Sequence, residues 1–256
     1  MSKSSKLFEK GADTVGLVRW RRRANAAPDM PRSELHRQSE RARALRMQLD
    51  TILRTSEDRL ALPREGSDSF QQQRGSDWGW RADAWRWRSE QTGHASVGNG
   101  GWIGPELQVF HDCPLQEISV RQMRNTSERD MSPYSMRFDV FGFEGSFLSV
   151  VMGLPDNATQ GLRKNHLVRM TTMIEAERDI EMFARLNVQH GPNTEQFVRE
   201  LQVRRGESSV EFDMSDADLN ENRIDRMWVD LIFENPAMNQ VTIRDLTFSR
   251  SPRAEI

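Results

Sequence analysis

The sequence predicts a mainly β protein, an antiparallel jelly-roll-like β-sandwich preceded by an N-terminal helical segment. From residue 106 onward, apolar and polar residues alternate in eight or more short runs, with the period of two expected of strands that have unlike faces. Polar turns separate these runs, and helical spacing is not seen among them. The one segment with helical spacing of its apolar residues lies before them, at 33–63.

The stretch 226–250 shows the alternation in two successive runs. Met227, Val229, Leu231 and Phe233 share one face, and the strand ends at Asn235-Pro236 because proline cannot donate to a sheet ladder. A second run extends from Val241 to Phe248, and its phase slips by one near Asp245, which predicts a β-bulge. We interpret the two runs as a strand pair at the edge or the closure of the sandwich.

Length and composition limit the domain organisation and the location that we expect. A chain of 256 residues can form one sandwich with an appendage, and its mean hydropathy of -0.73 indicates that part of it lies outside a packed core. No run approaches the roughly 20 apolar residues of a membrane span. Cys113 is the only cysteine, so an intrachain disulfide is excluded. The expected location is the cytoplasm, with peripheral contact to a membrane as an alternative.

Charge divides the chain into a basic beginning and an acidic body. Residues 1–64 carry 15 Lys and Arg against 8 Asp and Glu, a net charge of +7, within a total of -2. We expect residues 1–32 to form a mobile basic arm that makes weak contact with an anionic membrane surface. Disorder, a frayed helix or a tail that folds back are the alternatives, and sequence-specific nucleic-acid binding is not expected. The residues expected to contact the surface are Lys6, Lys10, Arg19, Trp20, Arg21, Arg22 and Arg23.

The next segments are predicted to be an amphipathic helix, a linker and the sandwich. In the helix, 33–63, apolar residues follow a 3.5-residue repeat suited to a partner helix, a groove or the protein's own sandwich. Residues 64–76 are polar and are interpreted as a linker. The sandwich domain is expected to span 77–252.

Tryptophans at the start of the sandwich are candidates for ligand binding. Five of the seven tryptophans lie between 78 and 102, beside a glycine-rich loop, and indole rings could stack on the flat face of a sugar or base. Tryptophans that fill the end of the sandwich core are the alternative. The residues proposed to bind a ligand are Trp78, Trp80, Arg81, Asp83 and Trp102.

Other chemistry is weakly indicated. Asp216, Asp218, Asn220 and Asn222 follow the spacing of a calcium loop, but Glu221 and Met227 stand where that loop needs glycine and glutamate, so polar turns are the alternative. No nucleophile elbow or phosphate-cradling loop occurs, and the histidines are scattered. The sequence therefore predicts neither an enzyme nor a cofactor.

The tryptophan-rich opening DWGWRADAWRW at 77–87 and the closing stretch 226–250 resemble galactose-binding-like and carbohydrate-module jelly rolls. The whole chain is similar to a family of uncharacterised alphaproteobacterial proteins with a domain of unknown function. The resemblance implies a bacterial, non-enzymatic binding module for a glycan-like or peptide ligand. The alternative is an interaction protein whose arm and helix attach it to a membrane surface or a protein assembly.

Overall fold

A computed structural model describes residues 3–60, 63–127, 129–203 and 206–253, with the side chains of 3–14 and 54–60 excepted. The chain divides into two compact units, Met1–Glu57 and Asp58–Ile256. Each unit is described by itself.

The first unit is helical. Helix α1 spans Lys3–Ala26, a short 3₁₀ turn spans Ala27–Asp29, and helix α2 spans Arg32–Leu60. The arm is helical, which the frayed helix among the alternatives anticipated, and its mobility stays a prediction. Gly11 and Gly16 cost about 1 kcal/mol each in a helix, but strong helix formers such as Ala, Leu, Lys and Arg fill much of the remaining segment. No helix in the described part of the chain has the apolar length that a membrane crossing needs.

Helix α1 has no separate apolar face over the residues whose side chains are described. At 100° per residue, Arg22 projects between Val15 and Val18, whereas Leu17 points to the opposite side. Arg19, Arg21 and Arg22 are exposed, and the Arg23 guanidinium lies 5.0 Å from the ring centre of Trp20. The side chains of Lys6 and Lys10 are among those that the structure does not describe. The mixed surface does not have the segregated faces of an amphipathic membrane helix.

The second unit is a β-sandwich of two antiparallel sheets. Sheet A has the order β11-β8-β13-β6-β5-β2, with β1 paired to β13, and sheet B has the order β10-β9-β12-β7-β4-β3. A single helical turn, α3 (Asp83–Arg86), follows the first strand. The strands are β1 (Trp78–Arg81), β2 (Gly93–His94), β3 (Gly101–Trp102), β4 (Leu107–His111), β5 (Ile118–Arg124), β6 (Tyr134–Val140), β7 (Leu148–Gly153), β8 (His166–Ala176), β9 (Met182–His190), β10 (Asn193–Leu201), β11 (Glu207–Asp213), β12 (Ile224–Phe233) and β13 (Asn239–Pro252).

The core lies between the two sheets. Alternate residues of β9 and β12 point into it, and Phe138 of sheet A meets Phe233 of sheet B at a ring-centre distance of 5.7 Å. Trp85 of α3 is fully buried in the same core, and its indole N–H donates to the carbonyl of Ile243. The predicted mainly β sandwich is therefore confirmed.

Strands β12 and β13 do not form the edge or closing pair expected from the sequence. β12 lies inside sheet B between β9 and β7, whereas β13 lies inside sheet A between β8 and β6. Consecutive alternating runs can pair with distant strands, and here the turn at Asn235-Pro236 leads from one sheet to the other. The predicted bulge is confirmed, because the β13–β8 register shifts between Ile243 and Asp245.

Residues 64–76 are hydrogen-bonded to the sandwich instead of spanning a gap. The Arg81 guanidinium donates to the carbonyls of Ser67 and Ser69, at 2.9 and 3.2 Å. Glu65 accepts a hydrogen bond from the hydroxyl of Tyr134, and Gln73 donates to Glu211. A polar composition predicted a linker, but these polar groups are used as partners for the edge of the sandwich.

Candidate functional site

A groove of about 850 Å³ runs over the face of sheet B that points away from the core. Its floor comes from the central strands β4, β7 and β12, and one wall comes from edge strand β3. The volume falls within the range of small-molecule and oligomer sites in proteins. This groove is the candidate functional site.

Strand register places the groove residues in rows across the sheet. In the middle row, Trp102 pairs with Gln108, Gln108 with Val151, Val151 with Asp230, and Asp230 with Arg185. Side chains at paired positions lie on the same face, so this row crosses five strands. Trp102 and Asp230 stand three strand spacings apart, about 14 Å.

A second row lies two residues further along the strands. Gly153 pairs with Trp228, Trp228 pairs with Asn187, and the amide of Gly153 donates to the carbonyl of Glu106. A third row on the other side contains Ile232, Ser149 and Phe110. The groove lining therefore combines aromatic residues with polar ones.

A charged pair occupies one side of the floor. Asp230 is 3% exposed and accepts hydrogen bonds from Arg185 at 2.7 Å and from the side-chain amide of Asn187 at 3.1 Å. Because a buried carboxylate needs partners, Arg185 and Asn187 stabilise its charge. Arg185 stays partly exposed and lines the groove.

Two tryptophans line the groove. Trp102 on edge strand β3 is 60% exposed, an unusual exposure for an indole ring. Trp228 on β12 is half-buried, and the guanidinium of Arg226 lies 4.7 Å from its ring centre. Arg226 is held in place by a hydrogen bond to Gln189 of 2.7 Å. Trp102 is therefore the aromatic surface most open to a ligand.

Glu106 lines the groove and directly precedes β4. One carboxyl oxygen accepts the backbone N–H of Asp83, whereas the other, Oε2, is buried without a hydrogen-bond partner among the described residues. Burial, and to a lesser extent the nearby Asp83 carboxylate, raise the pKa of Glu106 above its ordinary value of 4.5. The N–H of Asp83 and the charge of Arg86 oppose this rise.

Of the five predicted ligand-binding residues, only Trp102 lines the groove. Trp78 and Trp80 belong to β1 on sheet A, where Trp80 packs on Phe248 and Trp78 donates its N–H to Asn157. Arg81 is fully buried in a bidentate ion pair with Asp245, with both contacts at 2.8 Å. The structure thus does not bring these three residues to one site with Trp102, because β1 and β3 pair into different sheets.

Asp83 lies in a separate cavity of about 410 Å³. Its carboxylate forms an ion pair with Arg86, and the cavity also includes Trp87 and His94. Trp87 is exposed, but its ring packs over Gly66, where an added Cβ would lie 2.5 Å from a ring carbon. Trp87 of this cavity therefore packs against the segment 64–76.

The predicted calcium residues use their oxygens within the protein. Asp216 approaches Arg199 at 3.5 Å, and Asp218 pairs with Lys164 at 3.0 Å, a hydrogen bond that lowers the pKa of Asp218. Asn220 accepts the backbone N–H of Asn222 in a polar turn. Across the described residues, no three His, Cys, Asp or Glu side chains are grouped to hold a metal ion.

Sequence reasoning missed Gln108, Gly153, Arg185, Trp228 and Asp230. They come from four separate strands that only the pairing register brings together. A signal was present in 226–234, where Trp228 and Asp230 occupy the face opposite the core residues Val229 and Leu231.

Solved structures with a similar chain fold include two carbohydrate-binding modules. The family 11 module from Clostridium thermocellum, in complex with a β-1,3-1,4-mixed-linked tetrasaccharide, has a TM-score of 0.39 at 12% identity over 65% of this chain and 100% of that chain. The CBM22-1 xylan-binding domain from Paenibacillus barcinonensis has a TM-score of 0.39 at 9% identity over 63% and 94%.

A third similar structure is the enzymatically active domain of tailspike protein 4 from bacteriophage CBA120. Its TM-score is 0.41 at 9% identity, over 60% of this chain and 21% of that chain, so the present protein spans about a fifth of the tailspike's length. At such identities the likeness concerns the fold alone.

A search of the curated proteins finds no match. A family model, in contrast, matches the chain from residue 1 to residue 256. The protein therefore belongs to the family described as "Family of unknown function (DUF6478)".

Proposed function

We propose that the protein is a non-catalytic binding module that holds a neutral oligosaccharide in the groove of sheet B. The observation that carries the proposal is the exposed indole of Trp102 in one row with Gln108 and the Arg185–Asp230 pair. Sugar rings have an apolar face that stacks on aromatic rings and hydroxyls that bond to polar side chains. The groove offers both kinds of contact.

The length of the groove favours an oligosaccharide over a single sugar as the ligand. The distance of about 14 Å from Trp102 to Asp230 spans three strand spacings. A ligand that contacts the aromatic end and the charged pair together must extend across the strands. Affinity should therefore increase with the number of sugar units.

Charge favours a neutral ligand. Arg185 is neutralised by Asp230, and the other charged groups that line the groove are Arg226 against Glu106 and Asp156. A polyanion needs an excess of cations, which the lining does not provide. Sulfated or uronic-acid chains should bind less well than neutral ones.

A peptide is the less favoured ligand. Extended peptides gain affinity by pairing with free backbone groups at a sheet edge. The floor strands β4, β7 and β12 are interior strands whose backbone groups pair with their neighbours. Recognition must therefore rely on side chains, which suits hydroxyl-bearing rings.

Titration calorimetry against a panel of oligosaccharides tests this function. The panel contains mixed-linked β-glucan, xylan and galactan fragments, one uronic-acid chain and an unstructured peptide. Trp102→Ala should weaken binding roughly tenfold, about 1.4 kcal/mol, because the stacking surface is removed.

Phe141→Ala is the matched control, because Phe141 is 53% exposed and lies outside the groove lining. It should leave affinity unchanged. Binding of the peptide alone, or equal losses in both variants, would overturn the proposal.

A further inference from the structure

Neither backbone conformation nor lack of space requires glycine at position 153. Gly153 ends strand β7 inside sheet B, where it pairs with Trp228, and pairing continues past it because the amide of Leu154 donates to Met227. Its backbone is not among the positive-φ glycines, and an added Cβ would meet no atom within 4 Å. Glycine at such a strand position costs about 0.5–1 kcal/mol relative to alanine.

Neighbouring side chains do not cover the gap. An aromatic ring on the adjacent strand sometimes shields a strand glycine, and Trp228 is placed to do so. No ring atom lies within 4 Å of the Cβ position, so Trp228 leaves the gap open. The backbone of Gly153 is therefore accessible from the groove.

A residue with an unpartnered polar atom lines the same groove. Glu106 pairs with Gly153 on the other side from Trp228, and its Oε2 is buried with no hydrogen bond among the described residues. Leaving a buried polar atom unsatisfied costs free energy unless a ligand or water meets it. Glycine in a strand can mark a place where a ligand approaches the backbone closely.

We propose that Gly153 marks the subsite where one sugar ring of the bound chain lies against the sheet, next to Glu106 in the groove lining. This inference rests on the function proposed above and identifies Gly153 as its specificity-determining residue. A hydroxyl both donates and accepts, so it satisfies the carboxyl in either protonation state, whereas an anionic group does not. The subsite therefore selects an uncharged, hydroxyl-bearing ring.

The test replaces Gly153 in the full chain and measures both folding and binding. Gly153→Val should keep or raise the melting temperature, because a β-branched residue suits a strand and has free space there. It should weaken binding of the best oligosaccharide from the panel at least about tenfold by filling the subsite. Gly153→Ala should have a smaller effect of the same sign.

Ser209→Val is the matched control, because Ser209 is exposed on edge strand β11 of sheet A. It should leave the affinity unchanged. If Trp102→Ala abolishes binding and Gly153→Val does not, the subsite is wrong and the proposed function stands. If the unmodified chain binds no oligosaccharide, both are wrong.

Discussion

Glu106 carries a carboxyl group whose burial opposes its ionisation. Its folded-state pKa is raised above the ordinary value of 4.5, chiefly by burial. Between the unfolded and the folded pKa, the folded state binds more protons, so stability falls as pH rises through this window. Above both pKa values, the full cost of ionising Glu106 is present.

Glu106→Gln should therefore raise the melting temperature at pH 7 and have little effect below about pH 4, where the unfolded carboxyl is protonated too. The glutamine oxygen can still accept the N–H of Asp83. Thermal unfolding of both proteins from pH 3 to 8 measures the difference. A stabilisation that is equal at every pH would show that ionisation of Glu106 is not its cause.

The pKa of Asp139 is shifted in the opposite direction to that of Glu106. Burial would raise its pKa, but hydrogen bonds and charges from Arg121 and Arg137 outweigh burial and lower it. The carboxylate of Asp139 therefore supports the fold above its unfolded pKa, and this support is lost as pH falls through the folded value. Glu106 is without such a cation at hydrogen-bond distance among the described residues, which explains the difference in sign.

At the scale of elements, the segment 64–76 is expected to stabilise the sandwich. Arg81 is fully buried, and the carbonyls of Ser67 and Ser69 accept hydrogen bonds from its guanidinium. A hydrogen bond to a charged group contributes about 1.5–3 kcal/mol. A chain that begins at residue 77 should lose at least about 2 kcal/mol of unfolding free energy relative to one that begins at residue 58.

Urea denaturation of the two truncated chains measures this loss. The chain from residue 58 is the control, because it lacks the helical unit but keeps the carbonyls. Equal stability of both chains would instead support the linker predicted from composition.

Strand positions were largely predictable, because a strand that buries one face has apolar residues at every second position. The runs in β9 and β12 and the slip near Asp245 correspond to observed strands and an observed bulge. Pairing was not predictable, since alternation says which residues face the core but not which strand lies alongside. β12 and β13 illustrate this limit, because they are consecutive in sequence and belong to different sheets.

The candidate site depends on that unpredicted pairing. Trp102 was identifiable as an aromatic residue beside a glycine-rich loop, but its row partners Val151, Asp230 and Arg185 follow 49 to 128 residues later. Arg81 was misassigned because an arginine between tryptophans resembles a ligand-binding group in sequence. Its partner Asp245 lies 164 residues away, and only the fold shows the buried ion pair.

At the scale of the whole molecule, the two ends of the chain carry net charges of opposite sign. Residues 1–64 carry a net charge of +7, from 15 Lys and Arg against 8 Asp and Glu, whereas the remainder is acidic within a total of -2. The groove and every residue of the buried apolar core lie at or after Ala82. The chain from residue 58 should therefore bind oligosaccharide with the affinity of the full chain.

The basic end should bind anionic vesicles by charge alone. Each cation near an anionic surface contributes about 1 kcal/mol, and Arg19, Arg21 and Arg22 are exposed on α1. Apolar insertion is not expected to add to this, because Arg22 interrupts Val15 and Val18 on the same side of the helix. Since the Debye length shrinks to about 8 Å at physiological ionic strength, sedimentation of the full chain with phosphatidylserine vesicles should be seen at low salt and disappear near about 0.15 M. The chain from residue 58 should not sediment at either salt concentration. Sedimentation that resists salt, or that persists without residues 1–57, would contradict a purely electrostatic arm.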